Sequence, residues 1–285
     1  MIRDPEVAVL RAELEQLGVV VAPHRDHLCV RLPLFASVRV RVDEQGHLDR
    51  LTRSLNELRI AWPVTPRVLK LLMRRLIGMN RVTQGTIYLQ ITRGVAPRDF
   101  KFPKHSESSL VLITKRAGAF ATKAQLENGV KVITIPDIRW LRRDIKSVSL
   151  LPQVLGKQQA TEAGAFEAWQ VDSDGNVTEG CSSNAWIVTS DGTLVTRYAN
   201  NLILNGVTRL SILRLAEEAG IRFEERPFSV EEAYAAREAF VSSASTFVMP
   251  VTQIDDRSIG NGKPGGLSEK LRQSYLDYAQ ERGAS

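Results

Sequence analysis

The sequence alternates strand-like runs with segments of helical period, once in its first half and again in its second. Four leucines of residues 47–60 fall on one helical face, and residues 65–80 repeat this pattern after a Thr-Pro start. Residues 85–94 and 108–115 are rich in β-branched side chains and are bounded by Gly or Ser, which is typical of strands. This alternation predicts a mixed α and β fold.

The second half repeats the mixture around two turns. DSDGN at 172–176 and TSDGT at 189–193 each place Asp-Gly between apolar runs, which is the strongest short-range signal of a hairpin. Around these turns the patterns predict helices at 150–164, 207–220 and 268–280, and strands at 130–135 and 165–171.

The length of the chain favours two domains. A chain of 285 residues is at the size where a single hydrophobic core begins to split. Residues 116–129 are small and polar and have no strong period, so they are the candidate connection. We therefore predict a smaller N-terminal α/β domain at 1–117, a connection at 118–128 and a larger C-terminal domain at 129–285.

Composition excludes several classes of protein. Apolar residues make up 43% of the chain, no run approaches the roughly 18 apolar residues of a membrane span, and acids stand near the N-terminus where a signal peptide would be apolar. Cys29 and Cys181 lie far apart, without neighbours at the spacing of metal ligands. The net charge of +6 comes from dispersed basic residues without a nucleic-acid-binding signature, and a small anionic ligand explains it equally well. We expect a cytoplasmic protein that binds neither metal, membrane nor nucleic acid.

Three arginines, Arg139, Arg142 and Arg143, precede Lys146 in the segment RWLRRDIKSVSLL. A lysine amine is nucleophilic only when part of its population is neutral, and nearby cations, desolvation or a helix N-terminus lower its pKa. The segment therefore fits a reactive amine, although a solvated basic loop would account for the same run.

Two further motifs carry chemical groups. In VTEGCSSNAWIV, Glu179 is followed by small residues, which permit close approach of a ligand; the alternative is a hairpin with an Asx-type turn at Asn184. In NNLILNGVTRLSIL, residues 206–208 open a helix, where N–H groups and the hydroxyl of Thr208 favour a phosphate; the alternative is a simple N-cap. An amine for an aldehyde, an acid for a ring nitrogen and a phosphate site together indicate pyridoxal 5'-phosphate.

Several separated segments resemble the D-amino acid transaminase branch of the class IV aminotransferases, the pyridoxal phosphate enzymes of fold type IV. The matching segments are DIRWLRRDIKSVSLLPQVLGKQQATEAGAFEAW, VTEGCSSN, ANNLILNGVTR, SIGNGKPGGLSEKL and LQITRGVAPRDFKFP. The resemblance covers residues 47–285. It implies an α/β (α+β) fold of two mixed domains with the cofactor at their interface, a homodimer, and transfer of an amino group between a D-amino acid and a 2-oxo acid.

The resemblance also implies a role for individual residues. Lys146, rather than Lys157, forms the Schiff base with the cofactor and moves the Cα proton, while Glu179 keeps the pyridine nitrogen protonated. Leu204 packs on the ring, and Arg98 grips the substrate carboxylate. The implied cofactor-binding set is Arg50, Lys146, Glu179, Ser183, Leu204, Gly206, Val207, Thr208, Ser243 and Ala244.

Residues 1–46 and two later positions, Phe100 and Ala244, depart from the pattern of the resembled family. Phe35 stands where that family has a substrate-binding tyrosine, Ala36 where it has a glutamate, and Phe100 where it has a histidine; Ala244 replaces a hydroxyl residue near the phosphate. Two of three carboxylate partners are thereby lost. The alternatives left open are another class IV enzyme (branched-chain aminotransferase, aminodeoxychorismate lyase or (R)-amine transaminase) and a non-catalytic cofactor-binding relative.

Overall fold

The computed structural model describes residues 44–116 and 121–283, together with the backbone of three short strands before them. The chain divides into two compact units, Met1–Gly118 and Ala119–Ser285. Mixed helices and strands form both units, as the sequence predicted. Within the described residues, no helix combines the length and the hydropathy that crossing a lipid bilayer requires.

The first unit packs two amphipathic helices with a small antiparallel sheet. Its elements are β1 (Ala22–His24), β2 (His27–Cys29), β3 (Ala36–Ser37), α1 (Glu44–Glu57), α2 (Pro66–Met79), β4 (Gly85–Thr92) and β5 (Ser109–Arg116). Strands β3, β4 and β5 pair in that order, and β1 pairs with β2. The side chain of Thr65 caps α2 by accepting a hydrogen bond from the N–H of Val68 (3.3 Å), which explains the Thr-Pro start.

The predicted leucine face of α1 forms the core of this unit. Leu48, Leu51 and Leu55 are buried, in one cluster with residues of α2, β4 and β5. The helix begins three residues earlier and ends three residues earlier than predicted, because the chain turns at Arg59, which adopts a left-handed backbone conformation (φ 51°).

The second unit contains a nine-stranded mixed sheet. Its strands are β6 (Val130–Pro136), β7 (Glu167–Val171), β8 (Val177–Gly180), β9 (Asn184–Val188), β10 (Leu194–Thr196), β11 (Phe223–Glu225), β12 (Glu238–Ser243), β13 (Phe247–Ile254) and β14 (Arg257–Ser258). The order is β11-β10-β9-β12-β13-β6-β7-β8, with β14 on β13. A tight turn, closed by the bond from the N–H of Gly180 to the carbonyl of Ser183 (2.8 Å), leads from the end strand β8 to β9. The sheet therefore curls.

Five helices accompany this sheet: α3 (Lys123–Asn128), α4 (Leu151–Glu162), α5 (Val207–Glu218), α6 (Val230–Tyr234) and α7 (Gly266–Gly283). Helix α3 lies inside the predicted connection, where the sequence showed no strong period. Its capping box, in which Thr122 and Gln125 bond reciprocally, starts a helix that is only six residues long. Leu126 of this helix packs against the core of the second unit.

Both Asp-Gly turns form the predicted hairpins. The carboxylate of Asp172 accepts the N–H groups of Asp174 (3.1 Å) and Asn176 (3.0 Å) between β7 and β8. Gly175 and Gly192 take left-handed conformations at the two bends, with φ of 79° and 86°. These turns fix the register of strands β8 and β9, which carry the acid and the amide of the candidate site.

Candidate active site

Lys146 lies in the segment between β6 and α4, and its side chain is exposed. Burial raises the pKa of Glu179, and the charge of Lys146 is among the effects that oppose this rise. The segment that carries Lys146 reaches Glu179 through Arg139, which donates to the carboxylate.

Glu179, the last residue but one of strand β8, is a buried carboxylate with three donors around it. Arg139 donates through Nη1 to Oε1, and Asn184 donates through Nδ2 to Oε2 (3.1 Å). The backbone N–H of Leu204 lies 3.1 Å from each oxygen. The three donors make four contacts with the two oxygens, so the N–H of a pyridinium ring would share a carboxylate oxygen with one of them.

Burial raises the pKa of Glu179, whereas the charge and hydrogen bond of Arg139, the N–H of Leu204 and the charge of Lys146 act against that increase. The three groups that bond the carboxylate, from Arg139, Asn184 and Leu204, are all hydrogen-bond donors. These donors require acceptor oxygens at Glu179, but burial is the larger influence and the pKa of the carboxyl is raised.

Asp137 binds the buried guanidinium of Arg139 through both carboxylate oxygens. Its Nε and Nη2 donate to the two oxygens of Asp137 (2.9 and 2.7 Å), and Nη2 also donates to Thr178 (3.1 Å). Burial lowers the pKa of Arg139, but the bonds and charges of Asp137 and Glu179 outweigh burial and raise it. Arg139 therefore stays charged and fixes the orientation of Glu179.

The run of arginines is not a solvated basic loop, because Arg139 and Arg143 are buried. Arg143 pairs with Asp137 (3.3 Å) and Arg142 with Asp144 (3.1 Å). The sequence suggests that these arginines lower the pKa of Lys146. Carboxylates accompany them in the structure, and the effect on Lys146 stays a prediction.

The turn after Glu179 rests on a second buried acid, Glu167. Its Oε2 accepts the hydroxyls of Ser182 (2.6 Å) and Ser183 (3.1 Å) and the N–H of Ser182 (3.2 Å). The hydroxyl of Ser183, predicted to bind the cofactor, is thus oriented by Glu167. Lys157 also pairs with Glu167 (3.4 Å) and donates to the carbonyl of Phe166 (2.6 Å), so it has a structural partner of its own.

Helix α5 begins a few residues after Leu204, whose N–H bonds Glu179. Asn184 donates to the carbonyl of Leu204 (2.9 Å), and a Cβ on Gly206 would lie 2.2 Å from Oδ1 of Asn184, so only glycine fits there. Gly206 is the N-cap of α5 and has no side chain, which rules out the simple N-cap interpretation of Thr208. Val207 and Thr208 are buried in the first turn, where N–H groups favour an anion.

The turn after β12 lies next to the start of α5, because Asn184 pairs across the sheet with Ser242. The hydroxyl of Ser243 accepts the N–H of Thr246 (3.2 Å) and lies 2.8 Å from its hydroxyl oxygen. Ala244 stands in this turn. Ser243 and the start of α5 thus supply hydroxyl and N–H donors suited to a phosphate.

The first unit contains three of the predicted site residues: Arg50, Arg98 and Phe100. Arg50 lies on α1, with its Nη2 3.2 Å from Nδ1 of His47. Arg98 and Phe100 are exposed on the segment between β4 and β5, with the guanidinium 5.6 Å from the ring centroid. Phe35 lies outside the described residues.

Sequence reasoning missed the residues that hold the acid in place. Asp137 and Asn184 orient Glu179 directly or through Arg139, and Glu167 supports the turn that follows it. Asn184 stood out in the sequence only as a possible turn residue. An acid two positions before Arg139 was the available signal for Asp137.

The donors present fit pyridoxal 5'-phosphate. Lys146 offers an amine for its aldehyde, Glu179 offers a carboxylate for its ring nitrogen, and the start of α5 with Ser243 offers donors for its phosphate.

Comparison with known proteins agrees with this donor set. The family model for amino-transferase class IV matches residues 39–254. D-alanine aminotransferase of Staphylococcus aureus (strain N315) is 41% identical over 235 residues, 82% of each chain. That of Bacillus licheniformis is 39% identical over 242 residues, 84% of this chain and 82% of the relative.

Solved structures share the fold. A branched-chain amino acid aminotransferase of Escherichia coli superposes with a TM-score of 0.80 at 23% identity, covering 87% of this chain and 84% of that one. The branched-chain amino acid aminotransferase of Thermobaculum terrenum in its PLP-form gives 0.74 at 23% identity, covering 85% of this chain and 79% of that one.

Proposed function

Because the chain belongs to the class IV aminotransferases, we propose that Lys146 and Glu179 serve a pyridoxal phosphate-dependent D-amino acid transaminase. The observation that carries this proposal is that the segment of Lys146 reaches the buried carboxylate of Glu179 through the ion pair of Arg139. The similarity to D-alanine aminotransferases over 82% of the chain supports D-amino acids as donors and 2-oxo acids as acceptors.

The cofactor, when bound, supplies an electron sink for the carbanion formed at the substrate Cα. Lys146 would hold the cofactor through its amine and would move the proton of the substrate Cα. Glu179 would accept a hydrogen bond from the ring N–H and so keep the nitrogen protonated. Arg139 acts through Glu179, because it keeps the carboxylate charged and immobile.

The phosphate end is assigned to the start of α5 and the turn after β12. Val207 and Thr208 offer N–H and hydroxyl donors, and Ser243 offers a hydroxyl. We assign Leu204 to the ring face, since its backbone already bonds Glu179. The family resemblance adds Arg50 as a charged phosphate ligand.

Substrate selection is assigned to Arg98, Phe100 and Phe35. Arg98 supplies a cation for the α-carboxylate, whereas phenylalanines offer no hydrogen bond to it. Each lost bond to a charged group weakens binding by roughly 1.5–3 kcal/mol. We therefore propose weaker binding of the α-carboxylate than in enzymes with tyrosine and histidine at these places.

We further propose a homodimer in the cytoplasm. Exposed apolar side chains concentrate in residues 138–155, where Ile138, Leu141 and Leu151 are 65%, 70% and 68% exposed. Such a surface is typical of an interface. Cys181 is a free, buried thiol, which suits a reducing compartment.

Light scattering tests the dimer. The parent protein is expected at twice the chain mass and Leu141→Glu at the monomer mass, while Leu71→Glu, at an exposed leucine of α2, stays dimeric. A monomeric parent protein would contradict the assignment.

The assignment of Lys146 is tested by absorbance after loading with pyridoxal phosphate. Lys146→Ala should lose the visible band of the covalently held cofactor and all transamination, whereas Lys157→Ala should keep both, because Lys157 pairs with Glu167. A band that persists in Lys146→Ala and disappears in Lys157→Ala would reverse the assignment.

A further inference from the structure

Helix α7 is anchored at its first turn by Glu238 of β12. The carboxylate of Glu238 accepts the N–H groups of Leu267 (3.1 Å) and Ser268 (2.9 Å), and the hydroxyl of Ser268 donates to the carbonyl of Gly265 (2.7 Å). A Cβ on Gly265 would lie 1.9 Å from Cδ of Glu238, so the chain passes directly over the acid. The next turn of α7 carries Arg272.

Arg272 reaches the turn that follows β12. Its Nη1 donates to the carbonyls of Thr246 (2.8 Å) and Val248 (2.5 Å). Thr246 in turn donates its N–H to the hydroxyl of Ser243, the proposed phosphate ligand (3.2 Å). A single residue, Thr246, therefore separates the guanidinium from that ligand in the hydrogen-bond chain.

The backbone between these two carbonyls is strained. Phe247 has a positive φ of 58°, which is costly for a residue with a large side chain. Its ring lies 6.0 Å from the guanidinium of Arg272 and 5.3 Å from the ring of Tyr275. Helix α7 thus holds the turn in a conformation that Phe247 alone would disfavour.

The charge of Arg272 is only partly exposed to solvent. Among the residues that the structure describes, no carboxylate pairs with it, and its hydrogen bonds go to backbone carbonyls. Burial lowers its pKa, and no neighbouring charge opposes that change. A half-buried cation beside an anion site is favoured when the anion is bound.

We propose that Arg272 is a positioning residue for the cofactor's phosphate: it fixes the Ser243–Thr246 turn and supplies an uncompensated positive charge behind it. This inference rests on the proposed function, because it requires the phosphate to lie at that turn. It extends the phosphate site beyond the residues that would touch the ligand.

The test compares pyridoxal phosphate with pyridoxal, which lacks the phosphate, on the full-length protein freed of cofactor. Dissociation constants are measured by absorbance for the parent protein, Arg272→Gln, Arg272→Lys and the control Lys270→Gln, at an exposed residue of the same helix. In Arg272→Gln the dissociation constant of pyridoxal phosphate should rise about tenfold while that of pyridoxal changes less than about twofold. Arg272→Lys, which keeps the charge, should retain most of the preference, and Lys270→Gln all of it.

Equal weakening of both ligands in Arg272→Gln would show a merely structural contact and overturn the inference, as would unchanged affinity for pyridoxal phosphate. If Arg272→Gln does not fold, Arg272→Lys decides, since a loss of the phosphate preference there would overturn the role of the charge. A parent protein that binds neither ligand would instead contradict the proposed function.

Discussion

Glu179 meets a guanidinium, a side-chain amide and a backbone N–H in a buried site. Each donor comes from a different part of the chain, so the orientation of the carboxylate depends on the completed fold. This arrangement gives the carboxylate a fixed direction, which an exposed glutamate lacks.

Glu179→Gln is expected to retain the cofactor on Lys146 and to lower kcat for D-alanine by about 100-fold or more, because an amide does not hold a proton on the ring nitrogen. Stopped-flow absorbance measures the rate. Asp174→Asn, at an exposed position of the β7–β8 turn, is the control and should react like the parent protein. An equal rate in Glu179→Gln would show that the acid does not set the protonation of the ring.

Phe100→His should lower KM for D-alanine by about tenfold, and Phe35→Tyr in addition should lower it further, because each change restores a hydrogen bond to the carboxylate. Val95→His, which places a histidine at another exposed position of the same segment, should leave KM unchanged. Steady-state kinetics provide the readout. If KM for D-alanine is unchanged in Phe100→His, in the double variant with Phe35→Tyr and in Arg98→Ala, the carboxylate binds elsewhere.

At the residue scale, the sequence singled out the groups that we propose to carry chemistry but not those that orient them. Lys146, Glu179 and Thr208 stood out because their types and neighbours suit one ligand. The ion pair between Asp137 and Arg139 did not stand out. Arg139 also pairs with Glu179, and this requires that β6 and β8 lie on either side of β7. The spacing of residues in the sequence does not reveal the order of the strands in the sheet.

Among the secondary-structure elements, long periodic segments were predicted well and their ends less well. Helix α2 runs over Pro66–Met79, close to the predicted 65–80, because Thr65 and Pro66 mark its start. Helix α3 was missed, since six residues carry too little period to detect and their stability comes from a capping box and packing.

The anchoring of α7 gives a prediction at this scale. Glu238→Gln should destabilise the cofactor-free protein by about 1–3 kcal/mol, because the N–H groups of Leu267 and Ser268 lose a charged acceptor. Thermal unfolding followed by circular dichroism measures the change. Glu269→Gln, at an exposed acid of the same first turn, should cost less than about 1 kcal/mol. Equal effects of the two substitutions would contradict the anchoring role.

For the whole molecule, the two compact units divide at Gly118 and Ala119, within the segment that the sequence marked as polar and aperiodic. The order of the nine strands could not be predicted, because it depends on contacts between residues distant in the chain. Yet that order brings the ends of β8 and β12 next to the start of α5 and so assembles the proposed cofactor site.

The half-reaction with D-alanine tests the central claim most directly. The parent protein, loaded with pyridoxal phosphate and mixed with D-alanine without an oxo acid, should lose its visible absorbance band and release one pyruvate per cofactor, whereas L-alanine should leave the band in place. The substrate Cα proton has to reach Lys146, so Lys146→Ala should release no pyruvate. A parent protein that releases no pyruvate from D-alanine, or that reacts faster with L-alanine, would contradict its assignment as a D-amino acid transaminase.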